Sequence, residues 1–213
     1  MSHFLLTPVE VSNPVIPVST FKSVYVTKYK PLVLCDIDDT VIGYSKNFDS
    51  FYNELKLYVE KVKQSSDGPA NNFKHVLNNM HILNMTDYEI KVAANKRYDE
   101  YRLTQKPVHC DFDGFVDLLK RINTLGGELQ FLTARSKEAS FITRRQFGEI
   151  GLNYYDYRVH YTGNRISKGE YIKRYFNLNH FGEVLFIDDF DSYLQSVVDL
   201  FPNIKCYKFE YKP

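Results

Sequence analysis

Two short runs constrain this chain more than anything else in it: "PLVLCDIDD" (31–39) and "EVLFIDD" (183–189) are each an apolar stretch that ends abruptly in clustered carboxylates. A continuous apolar run of that length reads as a strand buried on both faces. Strands of that kind belong to parallel sheets covered by helices on either side. The acids therefore mark where each strand leaves the sheet. Asp36, Asp38 and Asp39 crowd three negative charges into four positions. Carboxylates so close oppose one another's ionisation, so the cluster calls for a cation or for chemistry that uses it.

Further strands are expected at "ELQFLTA" (128–134), "YRVHYTG" (157–163) and "IKCYKFEY" (204–211), with an edge strand at "SVYVTKY" (23–29). Helical spacing appears between them. In "FVDLLKRINTL" the apolar residues are Phe115, Leu118, Leu119, Ile122 and Leu125, and Gly126–Gly127 ends the run. "SKEASFITRRQFGEIG", with a start expected at Ser136, and "DSYLQSVVDLF" behave alike. Alternating strands and helices imply right-handed crossovers, hence an α/β fold: a doubly wound, Rossmann-like parallel sheet. Such sheets bind ligands at the carboxyl ends of their strands. Asp36, Thr133, Asp188 and Asp189 all fall at such ends.

Residues 45–108 break the alternation. "FYNELKLYVEKV" carries Phe51, Leu55, Tyr58, Val59 and Val62 on one stripe, with Asp49 and Ser50 where an N-cap belongs. "NNFKHVLNNM" offers Phe73, Val76, Leu77 and Met80. "TDYEIKVAANKRYDEY" opens on a capping box, Thr86 to Glu89. The expected organisation is an α/β core of residues 1–44 and 109–213, its first twenty an extended arm, interrupted by a helical insertion over 45–108. A second Asp-x-Asp, in "HCDFDGF" (109–115), follows no apolar strand, so Asp111 or Asp113 is expected to cap the helix behind it.

The formal net charge is +1, too small for a global field that would hold a nucleic-acid backbone or an acidic membrane surface. A nucleotide or the phosphorylated end of a nucleic acid stays compatible with that. Cys35, Cys110 and Cys206 form no CxxC pair and imply a reducing, cytoplasmic setting. No apolar segment suits a membrane span or a signal peptide.

Four elements stand in order: "CDIDDTV" (35–41), "FLTAR" (131–135), Lys168 in "SKGEY", and "FIDD" (186–189). Lys168 is notable in itself. Ser167 and Glu170 form a capping-box pattern that places it first in a helix, where a cation opposes the macrodipole. Such local violations concentrate at functional sites. Together the four elements resemble the ordered motifs of the haloacid dehalogenase superfamily, over residues 31–44 and roughly 112–200. The resemblance implies a Mg²⁺-dependent phosphatase working through an aspartyl-phosphate, and the helical insertion is similar to that family's cap, which accompanies small soluble phosphorylated substrates.

Carried onto this sequence, the resemblance makes Asp36 the nucleophile and Asp38 the general acid and base. Thr133 and Lys168 would bind the phosphoryl group. Arg135 either pairs with a substrate anion or braces the loop. Mg²⁺ would sit among Asp36, the main-chain carbonyl of Asp38, Asp188 and Asp189. One family pattern has a further acid four residues after Asp188, but Ser192 stands there, which leaves Asp189, Asp191 or a water held by Ser192 as the secondary ligand. A phosphorelay receiver domain also clusters Asp, Thr and Lys, but its pattern places the lysine at the last strand and the acceptor Asp mid-chain, whereas Lys168 here precedes the final acidic pair and the helical insertion has no counterpart. A phosphomutase, another phosphotransferase, or a non-catalytic binding protein of the same fold shares these residues. Tyr44, Phe48, Phe51 and Tyr52 either face the site or form the insertion's own core, the latter favoured for Phe51.

Overall fold

The computed structural model describes residues 14–46, 48–66, 81–163 and 165–211. The chain divides into two compact units, Met1–Gly43 with Val108–Lys212, and Tyr44–Pro107. The expected helix around Phe73, Val76, Leu77 and Met80 lies outside the described residues.

The first unit is built on six strands, β1 (Ile16–Val18), β2 (Pro31–Cys35), β5 (Glu128–Thr133), β6 (Arg158–Tyr161), β7 (Glu183–Asp188) and β8 (Lys205–Phe209). They form one sheet in the order β1-β8-β7-β2-β5-β6, and every pairing is parallel. From β2 the chain moves outward to β5 and β6, then crosses back to β7 on the other side of β2. The order reverses between β2 and β7, where ligand crevices of such sheets open. A small antiparallel pair, β3 (Ile42–Gly43) with β4 (Val108–His109), stands where the chain enters and leaves the second unit.

Among the described residues, four helices flank the sheet: α3 (Phe112–Thr124), α4 (Ser140–Glu149), α5 (Lys168–Tyr175) and α6 (Asp191–Leu200). Side chains alternate along each strand, which sorts them between the two faces. Leu32, Leu34, Leu132 and Phe186 pack with Ile172 of α5 and Leu194 and Val197 of α6. On the other face Phe131 stacks on Phe115 of α3 at 6.2 Å and meets Phe147 of α4 edge-on at 5.0 Å. The glycine in "SKGE" decides how closely α5 approaches α6. A Cβ on Gly169 would lie 1.9 Å from the carbonyl oxygen of Ser196.

In the second unit, α1 (Phe48–Ser66) pairs with α2 (Asp87–Thr104). Leu55, Val59, Ile90 and Ala94 form its core, with Phe48, Phe51 and Tyr52 packed against them. Tyr44 meets Tyr98 and Tyr101 edge-on within the same unit. The Thr86–Glu89 capping box forms in both directions. Helix α1 begins at Phe48, ahead of the expected caps Asp49 and Ser50, and Tyr58 is half exposed, off the buried stripe.

The edge strand is not where the alternation of residues 23–29 placed it. A single 3₁₀ turn at Phe21–Ser23 is followed by irregular backbone, and the sheet edge is Ile16–Val18. Side chains claim the amides a strand would have offered a neighbour. Glu183 accepts from the amides of Thr27 and Lys28 at 2.5 Å each, and the Tyr207 hydroxyl accepts from Tyr25 at 3.2 Å. Nor is the arm loose from residue 16 onward, because Phe21 is fully buried and stacks on Phe209 at 4.6 Å.

Asp111 secures this entry segment. It caps α3 by accepting from the Gly114 amide at 3.0 Å, and its other oxygen accepts from the Thr20 hydroxyl at 2.6 Å and the Phe21 amide at 2.8 Å. Burial works to raise its pKa, but these three hydrogen bonds outweigh that and hold the carboxyl below its ordinary value. Asp111→Ala should cost about 2–3 kcal/mol, a lost cap plus buried donors left without a partner. A depressed folded-state pKa contributes stability above the unfolded value that is lost as pH falls through the folded one. Denaturant titrations at neutral and acidic pH should therefore show the gap between wild type and Asp111→Ala narrowing in acid.

Candidate active site

Strand alternation puts the first two acids together. Residues 32, 34 and 36 share one face of β2 and its extension, and residues 186 and 188 share the same face of β7, the face that α5 covers. Cys35 pairs with Ile187, and the Asp36 amide continues the ladder to the Ile187 carbonyl at 2.8 Å, so Asp36 and Asp188 emerge side by side. Both are buried.

Lys168 arrives from α5, seated by the close approach at Gly169. Its ammonium donates to Asp36 Oδ1 and, at 2.6 Å, to Asp188 Oδ2. It is fully buried and lies 4.7 Å from the ring centre of Tyr193. Burial works against a charged ammonium, but the two carboxylates more than offset it and hold the Lys168 pKa above its ordinary value. Only half of the expected capping box forms here. The Ser167 hydroxyl accepts from the Glu170 amide at 3.1 Å, while the Glu170 carboxylate lies 3.5 Å from Arg174.

The acids feel the opposite pressure. Burial pushes the Asp36 pKa up to about 7; Lys168 opposes the shift, and Asp188 and Asp38 add to it. Asp188 and Asp189 are raised as well, again chiefly by burial. One buried ammonium therefore faces three buried carboxylates whose burial and crowding all oppose ionisation. Asp36, Asp188 and Asp189 each offer an oxygen, and these oxygens lie within 4.8 Å of one another. An all-oxygen set with unbalanced negative charge suits Mg²⁺, which favours carboxylates and retained waters, and does not suit Zn²⁺, which favours nitrogen and sulfur. Each carboxylate has about four lone-pair positions, so the bonds to Lys168 leave room for an ion.

Asp38 lies beyond the strand end, in a tight loop where Asp39 takes the left-handed conformation at φ 55°. The Asp38 carboxylate is gripped by Arg135, Nε to Oδ2 at 2.8 Å and Nη2 to Oδ1 at 2.6 Å. Thr133 ends β5, fully buried, and its hydroxyl accepts from the Arg135 amide at 3.2 Å. Helix α4 begins at Ser140, not at Ser136, which instead precedes a single 3₁₀ turn, Lys137–Ala139. No regular helix N-terminus therefore follows directly on Thr133.

Asp191 is turned away from the cluster, exposed and 2.7 Å from Lys208. Asp189 is the acid brought to Asp36 and Asp188. Three contributors were not visible in the sequence: Thr143, which accepts from Arg135 Nη1 at 2.9 Å; the Phe190 amide, which donates to Asp188 Oδ1 at 2.9 Å; and the Tyr193 ring beside Lys168. Each is an ordinary helix or loop residue by type, and only its neighbours give it a part in the site.

No family model and no curated protein matches the chain. It is similar to solved structures, among them one described as a candidate beta-phosphoglucomutase from Thermotoga maritima, 12% identical, TM-score 0.44, with 83% of each chain covered. Another is a haloacid dehalogenase-like family hydrolase from Xanthomonas campestris, 13% identical, TM-score 0.44, covering 88% of this chain and 84% of that one.

Removing the ammonium would leave Asp36 and Asp188 facing each other without a cation. Lys168→Met should destabilise the metal-free protein by about 3–5 kcal/mol, the usual cost of breaking a buried pair. Chemical denaturation in chelator checks this, and a loss under 1 kcal/mol, about the worth of an exposed pair, would contradict it.

Proposed function

We propose that this chain is a phosphomonoester hydrolase of the haloacid dehalogenase type, working through an aspartyl-phosphate on Asp36. The observation that carries the reading is the Asp36–Lys168–Asp188 bridge at the crevice of a doubly wound sheet, with Asp189 completing an all-oxygen cluster. The three free thiols favour a reducing, cytoplasmic setting. Among the described residues no helix is long and apolar enough to cross a membrane. The substrate would be a small phosphorylated metabolite or nucleotide.

A phosphate monoester repels nucleophiles by its own charge, so catalysis is positioning and charge neutralisation. An Asp36 oxygen forms a bond to phosphorus as the bond to the ester oxygen breaks, and Asp38 gives that oxygen a proton. Asp38 then takes a proton from the water that attacks the acyl-phosphate, releasing inorganic phosphate and regenerating Asp36. Lys168 sets a fixed positive charge against Asp36 and the transferring group, and the Thr133 hydroxyl is a donor to a phosphoryl oxygen. Asp36, the Asp38 carbonyl, Asp188 and Asp189 would hold Mg²⁺, which when bound neutralises charge on the phosphoryl group.

The decisive experiment is inorganic phosphate release from a panel of phosphorylated metabolites and nucleotides, with Mg²⁺ and with chelator. Turnover is expected only with Mg²⁺, and Asp36→Asn should abolish it while remaining folded. Substantial release by that variant would refute the nucleophile, and phosphate passed to a sugar instead of water would make the protein a mutase. Independently of turnover, Mg²⁺ at one hundred times its dissociation constant should add about 2.7 kcal/mol of stability. Asp188→Asn should lose most of that gain, read as a thermal shift.

A further inference from the structure

We propose that Arg135 is a positioning residue: its guanidinium holds the Asp38 carboxylate in the one orientation that serves proton transfer, and it is not a ligand for the substrate's phosphate. This inference rests on the phosphotransfer reading above. All three guanidinium nitrogens are engaged within the protein. Nε and Nη2 hold the two oxygens of Asp38, and Nη1 donates to Thr143 at 2.9 Å. The pair is largely dry, with side chains 7% and 13% exposed. Thr143 is fully buried and donates to the Ala139 carbonyl at 3.2 Å, so the arginine is fixed from behind as well as in front.

The need for such a clamp follows from where Asp38 sits. It lies outside the sheet ladder, next to the left-handed turn at Asp39, on backbone held by bonds from Val41 and Ile42 to the Ile37 carbonyl. A carboxylate there has rotamer freedom that proton transfer to a leaving oxygen does not tolerate. The planar fork of arginine matches a carboxylate edge-on and removes that freedom. Lysine, a point charge on a flexible stem, would attract Asp38 without orienting it.

A residue acting through a general acid matters in proportion to how much help the leaving group needs. A residue binding phosphate matters equally for all esters. Para-nitrophenyl phosphate leaves without a proton, whereas β-glycerophosphate needs one. Arg135→Met is therefore expected to lower kcat/KM on β-glycerophosphate at least about ten-fold more than on para-nitrophenyl phosphate, a fraction of what acid–base catalysis contributes. In an Asp38→Asn background the same change should cost less than about twofold on either ester, since residues acting as a unit are not additive. Thr143→Val, which leaves Asp38 and Arg135 in place, should show the same ester preference more weakly, and Arg135→Lys should not restore wild-type behaviour. These two variants carry the test if Arg135→Met does not fold. Equal losses on both esters, losses that add to those of Asp38→Asn, or a gain on β-glycerophosphate would overturn the proposal alone. A folded, Mg²⁺-replete wild type that turns over neither ester would overturn it together with the phosphotransfer reading.

Discussion

The organising interaction of this protein is a buried ammonium between two buried carboxylates. Burying Lys168 among Asp36 and Asp188 is unfavourable for each charge alone, and tolerable only because both hydrogen bonds are made. Much of the surrounding architecture serves that arrangement. The parallel register brings the two acids to one level, side-chain alternation sends them to one face, and Gly169 lets α5 close on α6 so that the lysine reaches them. The bridge under-compensates the cluster, because Asp189 adds a third carboxylate within reach. Three acids set against one ammonium form a group that could hold a divalent cation.

A second pair, Arg135 with Asp38, completes the division of labour. Two carboxylates only two residues apart sit in different company. Asp36 shares a lysine with another acid, and Asp38 is held by a bidentate fork. Identical side chains acquire different chemistry when their surroundings differ. Here the difference comes from which element supplies the cation: the first turn of a helix for Asp36, and the loop after β5 for Asp38.

Much of this was legible in the sequence because it rests on short-range rules. An apolar run cannot admit charge, so "LVLCD" and "FIDD" announced strand ends. A lysine at the first position of a capped helix contradicted the macrodipole, which marked Lys168. Asp111 was readable as a cap because capping depends on residues three apart. What failed to read was long-range or competitive. The alternation in residues 23–29 was real, but side chains of Glu183 and Tyr207 claim those amides, so no strand forms. Arg135 had two open roles because its partner is 97 residues away. Of the four motifs behind the resemblance the first is fairly specific and the other three are short and persuade mainly by their order, while the fold is carried by the strand pairings.

The sequence by itself determined the alternation of buried strands and helices, the carboxyl-end position of Asp36, Asp188 and Asp189, and the oddity of Lys168. Each follows from periodicity, burial or local backbone electrostatics, which act over a few residues. Only the tertiary structure decided which cation meets which carboxylate, that Asp189 and not Asp191 joins the cluster, and that the sheet edge is Ile16–Val18. Those outcomes depend on strand register, on one glycine-sized gap between two helices and on side chains competing for the same amides, and none of these is encoded in any single stretch of chain.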